Sequence, residues 1–76
     1  MKQTPVINMQ KTGENIRSLR ISAGLSVRDL QQIFGFSAPQ AIYKWESGAS
    51  LPTVDNLVIL SSVLHVKVDR ILVCDK

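Results

Sequence analysis

Between Leu25 and Gly48 the chain reads LSVRDLQQIFGFSAPQAIYKWESG, and this stretch decides the fold. Ser26 is a good N-cap, and Asp29, three residues on, completes a capping-box-like pair. Leu30, Ile33 and Phe34 then recur at helical spacing and supply an apolar face, and Gly35 is the stop. A second start follows at once. The Ser37 hydroxyl can cap while Gln40 reaches back in an S-x-x-Q pattern, and Pro39 belongs in a first turn, where its missing N–H costs nothing. That helix runs through Ala41 to Glu46 and closes at Gly48. Ile42 and Trp45 face inward, leaving Gln40, Tyr43, Lys44 and Ser47 outside.

Working outward, a preceding helix is predicted from Gly13 to Ala23. Ile16, Leu19 and Arg20 share its inner face, with Ala23 one turn further on. Gly24 is placed to end it in the left-handed conformation, with Leu25 as the hydrophobic partner of that cap. Beyond Gly48, Ala49 to Pro52 forms a loop and Thr53 caps a fourth helix, whose stripe is Leu57, Leu60, Val63 and Leu64. A short fifth helix near Val68 to Leu72 packs Val68, Ile71 and Leu72. Five helices joined by short loops predict a compact all-α bundle over residues 12–73. Residues 74–76 form a tail. Residues 1–11 lack helical periodicity and contain Pro5, so they read as a flexible N-terminal arm or an added strand-like segment.

The 76 residues set one domain as the limit. A single cysteine, Cys74, excludes an internal disulfide framework, and one histidine leaves no metal-ligand cluster. No cofactor or metal is expected, and the cysteine usage fits a reducing cytoplasm. No apolar run approaches the roughly 18 residues that span a bilayer, and Met1 to Pro5 does not lead into a signal-peptide stretch. No nucleophile–base pair, glycine-rich phosphate loop or paired carboxylates suggest an enzyme. The net charge of +3 is uneven: Lys2, Lys11, Arg17, Arg20, Arg28 and Lys44 outnumber Glu14, Asp29 and Glu46 up to Gly48, whereas charges balance beyond it. A polyanion would prefer the first two-thirds, although an ordinary solvated surface explains +3 equally well.

Two helices of roughly nine residues joined by a tight glycine-containing turn have the spacing of a helix-turn-helix, whose second helix lies in the DNA major groove. The outward face of the second helix suits that task. The Gln40 amide can pair bidentately with adenine N6 and N7, Tyr43 lies one turn further along, and Lys44 can reach a phosphate or a guanine edge. The helix N-terminus offers unpaired N–H groups to a phosphate.

Here the sequence resembles the lambda-repressor-like (XRE) family of helix-turn-helix regulators. The matching residues are Ile16 to Arg20, Gly24 to Ser26, Leu30, Gly35 to Ser37, Pro39 to Ile42, Lys44 to Gly48, Leu51 to Thr53 and Leu57. The run P-Q-A-I-x-K-W-E-x-G followed by L-P-T is the most specific part. The resemblance implies that Pro39, Gln40, Ala41 and Tyr43 face base edges. It places Lys44, the loop at Ser50 and the start of the fourth helix at Thr53 against phosphate; Arg28, Ser37 and Ser47 are further phosphate candidates beside them. It also implies a structural ion pair between Arg20 and Glu46. Trp45 reads as core rather than as a stacking surface, and Tyr43 as a DNA contact rather than plain exposure.

The partner expected is double-stranded DNA, bound by a homodimer on half-sites about 34–36 Å apart. Val66, Ile71 and Val73, on the outer parts of the fifth helix and tail, are the expected interface. The rival reading is a protein-interaction module on the same scaffold, such as an antitoxin or adaptor. The low net charge, Val27 and a recognition helix without arginine favour it.

Three departures from the family pattern stand out. The turn from Gly35 to Pro39 is one residue longer, Gln31 stands where a small alanine is usual, and Val27 replaces a phosphate-contacting glutamine, leaving that contact to Arg28. The first two read as one coupled change, the longer turn making room for the larger side chain. His65, where the family has glycine, should end the fourth helix, and Lys67 replaces a capping serine or threonine.

Overall fold

Asn8 opens the first helix. Its side-chain oxygen accepts the Lys11 N–H at 2.8 Å, so α1 spans Met9–Ser22. Residues 9–11, expected in the arm, are therefore the first turn of a helix that was predicted from Gly13. Periodicity missed this turn because the inward positions that follow it are Thr12 and Gly13, neither of them a large hydrophobe, though both are buried. The computed structural model describes residues 4–75; the rest of the expected arm (residues 1–3) and Lys76 of the tail lie outside the described residues.

Four further helices follow: α2 (Val27–Phe34), α3 (Gln40–Ser47), α4 (Val54–Leu64) and the single turn α5 (Val68–Ile71). The fold is all-α in class, with one small addition. β1 (Val6–Ile7) pairs antiparallel with β2 (Cys74–Asp75), Val6 opposite Asp75 and Ile7 opposite Cys74. The N-cap of α1 and two of its side chains extend this join. The Asn8 N–H donates to the Val73 carbonyl at 2.7 Å, and Thr12 Oγ1 accepts the Val73 N–H at 2.9 Å. Asn15 Nδ2 donates to the carbonyls of Arg70 and Ile71 at 2.6 and 2.9 Å. These bonds hold α5 in place although Lys67, at its N-cap, gives no side-chain cap.

Ile16, Leu30, Ile42, Trp45, Leu60, Leu64 and Ile71 form the core. Three residues sit otherwise than the sequence predicts. Ile71, expected at a subunit interface, is fully buried, because the turn of α5 aims it into the bundle. Ile33, expected on the inner face of α2, is 48% exposed, since Leu30 alone occupies the centre of that contact. Ala23 likewise lies exposed beyond the end of α1.

Three helices end in the same way. After α2, the Gly35 N–H donates to the Gln32 carbonyl at 3.1 Å and the Phe36 N–H to the Gln31 carbonyl at 3.0 Å. This is the paired hydrogen-bond pattern of a helix stop with a left-handed residue, here Gly35 at φ 71°. The Gln31 side chain then donates from Nε2 to the Phe36 carbonyl at 3.3 Å, so one residue holds both ends of Phe36. Arg20 does the same for Leu25 after α1, accepting its N–H at 3.1 Å and donating Nη1 to its carbonyl at 2.9 Å. Ser61 does so for Val66 after α4, accepting at 3.1 Å and donating its hydroxyl at 2.5 Å. There the left-handed residue is His65, at φ 57°.

Candidate nucleic-acid interface

The position of α3 follows from what lies under it. Ile42 is fully buried and Trp45 is 4% exposed. The Trp45 ring meets the edges of Phe34 and Phe36 at 5.4 and 5.9 Å between centroids, and those two rings stack at 5.1 Å. Such aromatic contacts contribute roughly 0.5–1.5 kcal/mol each beyond burial. Phe36 lies in the turn between α2 and α3, so this cluster joins the last residue of α2, the turn and the underside of α3.

At the far end, Arg20 grips Glu46 with a two-pronged contact, Nε to Oε2 at 2.6 Å and Nη2 to Oε1 at 3.1 Å. The two side chains are 10% and 8% exposed. The carboxylate hydrogen bond raises the Arg20 pKa further above its usual value, against the effect of burial. Arg20 is thus charged throughout the working range, and it ties α1 to α3 and to the Leu25 carbonyl together.

The residues expected to meet DNA divide by exposure. Gln40, Tyr43, Lys44 and Ser47 are exposed, Tyr43 at 57%, and their spacing of three, four and seven puts them on one face of α3. Pro39 is half-buried at the N-cap of that helix. Ala41 is half-buried with its methyl packed against the core, so only its outer part borders the same surface. Arg28 is exposed in the first turn of α2, and Ser37 is exposed in the turn before α3. Ser50 is half-buried in the loop after α3, its N–H on the Lys44 carbonyl at 3.3 Å. Thr53 is exposed at the N-cap of α4.

Three side chains differ from their expected bonding. Ser37 does not cap α3, which begins at Gln40 with no side-chain cap. The reason is Pro39: the residue before a proline is pushed out of helical geometry, so no helix starts at Ala38. Thr53 occupies the N-cap of α4 and its carbonyl accepts the Leu57 N–H at 2.8 Å, but its hydroxyl donates to the Asp55 carboxylate instead. Ser47 donates its hydroxyl back to the Lys44 carbonyl at 3.2 Å. The expected capping box at α2, by contrast, is present in both directions, at 2.8 and 3.0 Å.

The N-terminus of α3 therefore carries N–H groups that no side chain occupies, next to Gln40 and within reach of the turn holding Ser37. An anion placed there gains from both the donors and the helix dipole. Sequence reasoning did not find the Gln31–Phe36 bond, although the five-residue spacing around a stop glycine marks it. It also missed Gly13, over which α3 crosses α1; the only available signal was a glycine next to a buried periodic position.

A helix-turn-helix family model matches residues 16–71. The chain belongs to this XRE-type helix-turn-helix family. Among solved structures, the chain is similar to one described as the DNA-binding domain of BldD, with a TM-score of 0.71 and 24% identity. That match covers 86% of this chain and 93% of the other. No curated protein matches by sequence.

Proposed function

We propose that the chain is a small transcriptional regulator that binds double-stranded DNA sequence-specifically, with α3 in the major groove. One observation carries this reading: α3 is anchored from beneath by Ile42 and Trp45 while Gln40, Tyr43, Lys44 and Ser47 line its open face. Gln40 and Tyr43 are the principal base readers, with Pro39 and the outer part of Ala41 offering apolar contact to a thymine methyl. Arg28, Ser37, Lys44, Ser47, Ser50 and Thr53 are assigned to phosphate, where they fix register rather than read sequence. Family membership supports the assignment, and the BldD structure, a DNA-binding domain by its description, has the same fold.

A module with so few base readers gains useful affinity as a homodimer on two half-sites, acting in the cytoplasm on the nucleoid. The described residues contain no helix long and apolar enough to cross a membrane. The test is recovery of bound duplexes from a random pool, followed by fluorescence anisotropy on the selected sequence. Gln40→Ala with Tyr43→Ala should abolish the preference for that sequence while leaving weak, salt-sensitive binding. A chain that selects nothing and shows no salt-sensitive duplex binding is a protein-interaction module instead, an antitoxin or adaptor.

A further inference from the structure

We propose that Gln31 is a positioning residue for base readout: by holding Phe36 at both its N–H and its carbonyl it sets where α3 begins, and hence which base edges Gln40 and Tyr43 reach. This rests on the reading of the chain as a sequence-specific DNA binder and adds to it a residue that touches no DNA.

The argument begins with the turn itself. Gln31 accepts the Phe36 N–H at 3.0 Å through its main chain and donates to the Phe36 carbonyl at 3.3 Å through its side chain. Regular hydrogen bonding resumes only at Pro39, whose carbonyl accepts the Tyr43 N–H at 3.2 Å. Between them, Ser37 and Ala38 make no hydrogen bond among the described residues. The doubly held main chain of Phe36 is therefore the polar anchor from which the turn springs. Its ring carries the same constraint to α3, since it packs on Trp45 from the helix's underside.

The recurrence of the device says what it does. Arg20 on Leu25 and Ser61 on Val66 fix the chain direction after α1 and α4 in the same way. Only the copy on Gln31 lies directly ahead of the helix that bears Gln40 and Tyr43. At the equivalent position of α3 stands Lys44, whose carbonyl accepts the Ala49 N–H at 2.9 Å while its side chain is left exposed. Thus the arrangement is spent on direction in α1, α2 and α4, and on a solvent-facing cation in α3. A base reader must be held to within about 0.5 Å by the residues that support it. Without the Gln31 amide, the Phe36 carbonyl loses its partner and the N-terminal end of α3 is left with apolar packing, which resists separation better than sliding, while the Arg20–Glu46 pair holds only the far end.

The experiment uses the full chain and the duplex recovered from the random pool, with a set of single-pair variants of that duplex. Wild type, Gln31→Met and Gln31→Arg are compared. Methionine keeps the length but cannot donate; arginine can donate, as Arg20 does to Leu25. The quantity read is discrimination, the ratio of affinities for the selected and altered duplexes, beside affinity for unrelated duplex and thermal midpoint. Gln31→Met should lower discrimination about tenfold while affinity for unrelated duplex stays within about twofold, and Gln31→Arg should restore most of it. Full discrimination in Gln31→Met overturns the proposal. So does equal loss on all duplexes, or an unfolded Gln31→Met chain, since either makes the bond one of stability alone. If wild type itself selects no sequence, the failure lies in the DNA-binding reading and removes this one with it.

Discussion

A Cβ placed on Gly13 would stand 2.4 Å from the carbonyl oxygen of Trp45 and 2.6 Å from that of Glu46. Those oxygens belong to main chain, which cannot swing aside. Gly13 is buried within α1, where a helix ordinarily prefers alanine by about 1 kcal/mol. Here the close approach of α1 and α3 reverses that preference. Gly13→Ala should destabilise the domain by about 1–3 kcal/mol, as overpacking does. Urea unfolding measures it; an unchanged midpoint would show that the two helices separate freely.

The Arg20–Glu46 pair should behave as a buried unit. Removing one partner leaves the other charge enclosed, so Arg20→Met should cost roughly 3–5 kcal/mol. Adding Glu46→Leu to Arg20→Met should recover a large part of that loss, because the orphaned carboxylate is then gone. Recovery stays incomplete, since the Leu25 carbonyl has also lost its Arg20 donor. A double-mutant cycle with additive losses would rule out the coupling.

Asp29 and Asp55 give the fold an acid-sensitive component. The Asp29 carboxyl is held below its usual range chiefly by the Ser26 main-chain N–H, and Asp55 chiefly by the Thr53 hydroxyl. A carboxyl whose folded pKa lies below its unfolded value stabilises the fold fully above the unfolded pKa, near about 4. That contribution disappears as pH falls through the lower folded value. Denaturant midpoints should therefore fall more steeply below about pH 4 in wild type than in Asp29→Asn. Parallel acid profiles would remove Asp29 from this role.

Lys44 is assigned to phosphate, and its replacement has a distinct signature. Lys44→Ala should weaken binding to selected and unrelated duplex alike. The slope of log affinity against log salt should become shallower by about 0.9. Were the loss confined to the selected sequence with the slope unchanged, Lys44 would be reading a base.

His65 ends α4 with φ at 57°, a conformation costing a residue with a Cβ about 1–2 kcal/mol. His65→Gly relieves this but adds freedom to the unfolded chain, worth about 0.4–1 kcal/mol. The net expectation is a gain of between zero and about 1.6 kcal/mol, visible as a higher thermal midpoint. A drop would mean that the imidazole makes contacts of its own.

Much of this was legible in the sequence, and particular residues show why. Ile42 and Trp45 could be placed because large apolar groups three apart admit one inward face, and the Ser26–Asp29 box because both partners lie within one turn. Thr12 and Asn15 could not be read: their partners are backbone groups 55 to 61 residues away, and nothing in side-chain pattern records a main-chain partner. The start of α3 was misplaced because Ser37 and Gln40 fit a capping pattern, while the constraint of Pro39 on Ala38 is the stronger effect. For the candidate site, Gln40, Tyr43, Lys44 and Ser47 followed from periodicity. Ala41 did not, since a methyl group is small enough to serve inner and outer surfaces at once.

The pairing of Val6 with Asp75 has a mechanical corollary. Because β1 and β2 run antiparallel, tension applied at both ends would peel the ribbon one rung at a time rather than shear it. Val6–Asp75 would part first, then Ile7–Cys74, then the bond from Asn8 to Val73. A tethered molecule would thus shed its hem at low force while the joint between α1 and α3, farther from the point of pull, still held the open face of α3 in shape.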